Sequence, residues 1–382
     1  MANEHRVPAY QRWMVEEGVP IVRGHGVSDV MTLELGDWKR MGGQGAFIDM
    51  TGMEGLTGLY VVEIPPGGSL KAERHMYDEL MYVLSGRGST EVWAGDAEQS
   101  ASSTVFEWQA GALFSPPMNT WHRLYNLSGD EPARLLSATL APLVMDVYHN
   151  AEFVFDCPFT FRDRFDGRPD YFNVGERTMN EPTGSWVWDT SYIPDVRWDS
   201  LKEDSRKTRG AWSTVFEMGG NILAGHIYEF PAGRYQKAHY HSGGAIVVTV
   251  RGAWGYSLMW PKESGIRPYE NGNADKVVRI DWKEGSVVSP PGDWFHQHFN
   301  TGPEPVRQLA LRLGSQRHGV YFHDIQTRGG VLLSVAEGGT MIEYDDEDPE
   351  IPRLFQEELA RWGAKSHMDD PTPTWAGRTA DV

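Results

Sequence analysis

Two histidines one residue apart stand in a stretch that reads Gly233-x5-His239-x-His241-x3-Ala245-x6-Gly252. On an extended strand, alternate side chains share a face, so both imidazoles project together. Two residues on one strand cannot close a metal site, and a third ligand must arrive from another strand. The stretch Gly285-x5-Pro291-x4-His296-x3-Asn300 offers one, because His296 follows the Pro290-Pro291-Gly292 turn. Three neutral imidazoles suit Fe(II), Mn(II), Ni(II), Cu(II) or Zn(II) and leave positions open for substrate and oxidant. Gln236, Tyr240, His298 and Arg251 are the nearby polar candidates for substrate contacts. His298, two residues after His296, shares its strand face if the segment is extended. It is read as a ligand, as a base behind the ligands or as a core histidine. Asp293 is read as a turn residue.

The pattern occurs once more, earlier in the chain, as Gly67-x5-Glu73-x-His75-x3-Glu79-x6-Gly86 and Gly111-x5-Pro117-x4-His122-x3-Asn126. The first halves are offset by 166 residues (239 minus 73) and the second halves by 174 (296 minus 122). The eight-residue difference falls in the Gly-, Pro- and Asn-rich stretch 263–275. Flanking residues repeat too: Tyr60-Val61-Val62-Glu63 matches His226-Ile227-Tyr228-Glu229, and Ser115-Pro116-Pro117 matches Ser289-Pro290-Pro291. Such a repeat means two units of one build. In the earlier copy, Glu73, His75, Glu79 and His122 form a second candidate metal site. Two carboxylates and two imidazoles could hold Mn(II) or Fe(II), with ligand charge balancing the ion. The other reading is a retired site in which the carboxylates pair with His75, His122 or Arg74, since two buried carboxylates without a cation repel.

The elements that must position these residues are short. Apolar runs at 80–84, 135–140, 245–250 and 308–313 have strand length and turn residues on both sides. They predict an all-β protein of two antiparallel barrels, each with one motif pair. The division expected is 1–165 for a first barrel with an N-terminal arm, 166–208 for a connection and 209–345 for a second barrel. Residues 346–382 are a C-terminal helix over 348–362, with Ile351, Leu354, Phe355 and Leu359 on one face, and a tail loose from 364.

Composition narrows the function classes. A length of 382 residues suits two domains, and a net charge of −18 argues against nucleic-acid binding. Cys157 is the only cysteine, which excludes intrachain disulfides and cysteine-rich zinc or iron–sulfur sites; it is read as a buried small hydrophobe. No basic segment leads into an apolar run at the N-terminus and no stretch approaches a membrane span, so a cytoplasmic location is expected. The 15 tryptophans are read as packing between sheets.

Both motif pairs resemble the two conserved motifs of the cupin superfamily, G-x5-H-x-H-x3,4-E-x6-G and G-x5-P-x-G-x2-H-x3-N. The match covers the core of each half, so the chain resembles a bicupin, with two tandem double-stranded β-helix barrels. The resemblance implies that His239, His241 and His296 bind the metal and that the family's glutamate position is Ala245. The second copy is similar in this to three-histidine ring-cleaving bicupins of the gentisate and salicylate 1,2-dioxygenase type, although those commonly work in their first barrel. A glutamate at position 73 resembles the ureidoglycine aminohydrolase type of bicupin. Family likeness also implies a homo-oligomer.

The function expected on these grounds is a metal-dependent dioxygenase with non-haem Fe(II) on His239, His241 and His296, acting on a small aromatic or chelating carboxylate. The alternatives are a non-redox Mn(II), Zn(II) or Ni(II) enzyme (lyase, isomerase, decarboxylase or amidohydrolase) and a non-catalytic small-molecule-binding protein.

Overall fold

The computed structural model describes residues 7–95, 103–181, 185–204, 207–252, 254–315, 327–328 and 331–370. It is predominantly β, built as two barrels of the same construction. In the first, a long sheet runs Gly43–Met50, Gly58–Ile64, Ala133–Thr139, Glu79–Ser85 and Leu113–Phe114; a second holds Trp121–Asn126, Arg87–Trp93 and Thr104–Gln109. In the second, the order Trp212–Met218, Leu223–Phe230, Val306–Leu313, Ile246–Arg251 and Val287–Val288 repeats the long sheet. Its companion holds Arg234–Tyr235, Trp294–Asn300, Gly255–Pro261 and Val278–Trp282. The apolar runs 80–84 and 308–313 lie wholly in these strands, and 135–140 and 245–250 do so except for Leu140 and Ala245.

Register repeats as well as order. Tyr60 pairs with Ser137 and Glu63 with Arg134 in the first barrel; His226 pairs with Ala310 and Glu229 with Arg307 in the second. The motif asparagines carry scaffold roles. Asn126 Nδ2 donates to the carbonyls of Pro65 (3.2 Å) and Glu131 (2.8 Å), and Asn300 Nδ2 to those of Pro231 (3.0 Å) and Glu304 (2.8 Å). Each asparagine thereby ties two turns that would otherwise leave carbonyls unsatisfied. Asp293 has φ 62°, the left-handed conformation of a turn, and ion-pairs with Lys262 at 3.1 Å.

Boundaries drawn along the sequence do not separate the barrels in space. Gly26–Val27 of the N-terminal arm pairs with Val287–Val288 in the second barrel, and Tyr192–Ile193 of the connection pairs with Leu113–Phe114 in the first. Each barrel thus has an edge strand covered by chain from outside it, which removes exposed pairing groups. One core continues across both barrels, including Phe47, Leu80, Leu135, Phe216, Ile227 and Leu309. Trp38, Trp260 and Trp282 are fully buried, as packing between sheets requires, and Cys157 is buried. No helix among the described residues is long and apolar enough to cross a membrane.

The C-terminal helix spans Glu350–Trp362 and buries Ile351, Phe355 and Leu359. Asp348, just ahead of it, accepts from the Glu350 N–H at 3.0 Å, and Gly363 ends it in the left-handed conformation at φ 66°. Residues 364–370 are docked, contrary to the expected loose tail: His367 N–H donates to the Gly233 carbonyl (2.9 Å) and Arg234 Nη2 to that of Asp370 (3.0 Å). The rest of that expected tail, 371–382, lies outside the described residues.

Glu347, just before this helix, is a buried carboxyl that accepts from Tyr235 Oη and from Gln297 Nε2. Burial pushes it up to about 7, against the lowering effect of those two hydrogen bonds. A carboxyl raised in the folded state adds stability below its unfolded value, and that contribution is lost as pH rises through about 7. Glu347→Gln should therefore flatten the fall in stability between pH 5 and 8, by on the order of 2 kcal/mol. Urea unfolding of both proteins at the two pH values measures this; identical slopes would contradict it.

Candidate metal centres

The repeated register places the motif residues opposite one another in both barrels. Glu73 and His122 exchange backbone hydrogen bonds of 3.0 and 2.9 Å, and His239 and His296 exchange bonds of 3.1 and 2.9 Å. Each barrel therefore brings its first-motif strand against its second-motif histidine.

In the first barrel, ligand atoms of His75, Glu79 and His122 lie within 4.8 Å of one another, all buried. The Nδ1 atoms of His75 and His122 sit 2.9 Å from the Tyr77 carbonyl and 3.0 Å from the Thr120 carbonyl. A carbonyl can only accept, so each Nδ1 carries a hydrogen and each Nε2 turns toward the shared position. His75 Nε2 is 3.0 Å from Glu79 Oε2, while His122 Nε2 is buried with no hydrogen-bond partner. The other Glu79 oxygen accepts from Tyr60 Oη and Ser137 Oγ.

Burial would lower the His75 imidazole and raise the Glu79 carboxyl. Their mutual hydrogen bond and charge reverse both shifts, holding His75 up and Glu79 down. His122 is pushed down by burial and by the charge of His75. The ion-free pair thus keeps one proton between His75 and Glu79. A divalent cation fits here in its place: it would satisfy the orphaned His122 Nε2, and its binding would release that proton.

Glu73, the fourth residue grouped with these in the sequence, is outside the mutually close triple but borders it. One of its oxygens pairs with Arg40, whose guanidinium also reaches Glu17 (3.2 Å) and lies over Trp13, Trp38 and Phe155. The other oxygen lies 3.8 Å from His122 Nε2. Arg74 is not the partner of these carboxylates; it lies over Trp121 and reaches the Asp156 carbonyl.

In the second barrel, ligand atoms of His239, His241 and His296 also lie within 4.8 Å of one another. Burial pushes all three imidazoles down, His296 to about 4, so they are neutral. Nδ1 of His239 and of His296 lie 3.1 Å and 3.0 Å from the Lys237 and Trp294 carbonyls, which again leaves Nε2 as the lone-pair atom. The cavity they border measures about 30 Å³, room on the order of a water or two. His298 and Gln236 line it, and His298 Nδ1 is 2.7 Å from Ser257 Oγ.

Tyr240 and Arg251 do not line that cavity. Tyr240 alternates with the two histidines, so it faces the other way and packs on Phe295. Arg251 ends its strand in an ion pair with Glu229, over Trp198.

Lys207, like Arg40, carries no signal in the sequence: its Nζ reaches 2.8 Å from His239 Nε2. The donor chemistry of three imidazoles suits a divalent ion, but the lone pair of His239 already meets an ammonium. Tyr60 and His226 were legible as matched repeat positions; both face a site, the first holding Glu79 and the second lining the cavity.

Residues 60–139 match the family model for the cupin domain. No curated protein is similar to the chain in sequence. Solved structures with which it shares a likeness include the oxalate decarboxylase of Lactobacillus farciminis as its formate complex. That protein is 13% identical, with 76% of this chain and 86% of that chain covered and a TM-score of 0.48. Oxalate decarboxylase from Bacillus subtilis at pH 4.6 is also 13% identical, with 77% of each chain covered and a TM-score of 0.48.

Proposed function

We propose that this chain is a bicupin, since residues 60–139 match the cupin-domain model and the second barrel repeats the same strand order, and that it is a metal-dependent enzyme that moves protons on a small carboxylate substrate, as a lyase, decarboxylase or isomerase does. His75, Glu79 and His122 would hold the ion, and two imidazoles with a carboxylate suit Mn(II) or Fe(II). When bound, the ion supplies Lewis acidity toward a substrate carboxyl or carbonyl. Tyr60 and Ser137 fix the orientation of the Glu79 carboxylate, and the carbonyls of Tyr77 and Thr120 fix the two imidazoles.

Glu73 carries the reading. It is not needed to complete the three-residue ligand set, Arg40 clamps one of its oxygens, and the other stands 3.8 Å from His122 Nε2. A carboxylate is thereby kept at the rim of the ligand position, where a substrate proton can be taken and returned. Arg40 is itself held by Glu17 and three aromatic rings, so the clamp is rigid.

One specific observation favours a second reading, oxygenation: two histidines and one carboxylate are also the donor set of Fe(II) oxygenases. The test loads ion-free protein with Mn(II), Fe(II) or Zn(II) without O2 and follows small hydroxy-, keto- and dicarboxylates by NMR. We expect turnover without O2, reduced about 100-fold or more by Glu73→Gln. Turnover that needs both Fe(II) and O2, on hydroxybenzoates or diketones, would replace this reading with the oxygenase.

A further inference from the structure

The second barrel assembles three imidazoles and then places a cation of its own among them. His239 Nδ1–H is committed to the Lys237 carbonyl, so its lone pair sits on Nε2, and Lys207 Nζ donates to that atom at 2.8 Å. The first barrel shows that this placement belongs to the fold. Gln44 lies opposite Glu63 and Trp212 opposite Glu229, which makes those two strands equivalent. Arg40, four residues before Gln44, and Lys207, five residues before Trp212, therefore come from the same loop of their respective barrels. Arg40 meets Glu73 and Lys207 meets His239, which are themselves equivalent motif positions.

The consequence differs because the acceptor differs. Arg40 meets a carboxylate and stays outside the ligand set. Lys207 meets an imidazole lone pair and stands inside it. Other substitutions run the same way: Glu79 is replaced by Ala245, and the two hydroxyls that hold it, from Tyr60 and Ser137, are replaced by His226 and Ala310. No Asp or Glu lines the second cavity among the described residues. Arg312, half-buried on the neighbouring strand, adds positive charge near His241. A divalent ion there would find no anionic ligand and would face an ammonium at close range.

We propose that the Lys207 ammonium takes the place of the metal in the second barrel and excludes a divalent ion from it. The full chain then binds one exchangeable ion, and neutralising this one side chain opens a second site. The count of one rests on the first-barrel reading above; the difference between variants does not.

The probe is Zn(II) alone, added in excess, dialysed away and counted by elemental analysis. Wild type should retain one ion per chain and Lys207→Met two, with the added ion lost again in Lys207→Met/His296→Ala. In a His122→Ala background the counts should fall to zero and one. Lys207→Gln provides a second neutral side chain, and retention of the first-barrel ion shows that each variant is folded. A Lys207→Met protein that still holds one ion would overturn the proposal. So would a wild type with two ions, one of them lost on His296→Ala. A wild type with none, and Lys207→Met with one, would sink the first-barrel reading and leave this one standing.

Discussion

His122→Ala should abolish stable binding of a divalent ion in the first barrel and activity with it. The substitution removes one of three donors, the one whose buried Nε2 makes no hydrogen bond within the protein. Residues that only hold a ligand in place typically cost 10- to 100-fold in affinity when removed, so loss of a direct ligand should exceed about 100-fold. Tyr60→Phe provides the graded comparison. It deletes one hydrogen bond to Glu79 while Ser137 keeps the other, and should weaken the ion by about 10-fold. Competition with a chelating dye measures both. Equal affinities in all three proteins would show that the ion is held elsewhere.

The largest effect on stability is expected at Glu229. Arg307 is almost wholly buried, and Glu229 is its sole anionic partner among the ion pairs of the described residues, a pair that Arg251 also joins. Arg307 Nη1 further donates to the carbonyls of Val196 (3.1 Å) and Asp199 (2.8 Å), which fastens the connection between the barrels to the second one. Glu229→Gln leaves the buried guanidinium without its counter-charge, at a cost of about 3–5 kcal/mol. The equivalent pair in the first barrel, Glu63 with Arg134, is more exposed, and Glu63→Gln should cost only about 1 kcal/mol. Denaturant unfolding of the two variants gives the comparison, and equal losses would contradict the role assigned to burial.

Much of this architecture was legible in the sequence because it rests on local, periodic constraints. The motif spacing marks strand, turn and strand, and its duplication marks two barrels; the paired strands and the His239–His296 and Glu73–His122 bridges follow from it. The apolar face of 348–362 identified the C-terminal helix. Alternation along a strand could also have removed Tyr240 from the candidates, since it separates two residues that share a face.

What the sequence could not show depends on contacts between distant segments. Lys207 and Arg40 reach their sites from loops more than 30 residues upstream of their partners, and nothing in either loop signals its target. The arm strand Gly26–Val27 belongs to the second barrel although it precedes the first, because an open sheet edge there needed a partner. The tail to 370 docks through backbone groups of Gly233 and Asp370, which carry no compositional signature. Three retained histidines point from the sequence to the second barrel as the place of chemistry. With Lys207 against His239, and with His122 Nε2 buried without a hydrogen bond, the weight shifts to the first.

The most direct test is an anomalous difference map from a crystal of the wild-type chain loaded with Zn(II). A metal centre in the first barrel requires a peak about 2.0–2.2 Å from His75 Nε2, His122 Nε2 and a Glu79 oxygen, with none among the second-barrel histidines. A peak bound by His239, His241 and His296, with the first barrel empty, would contradict it.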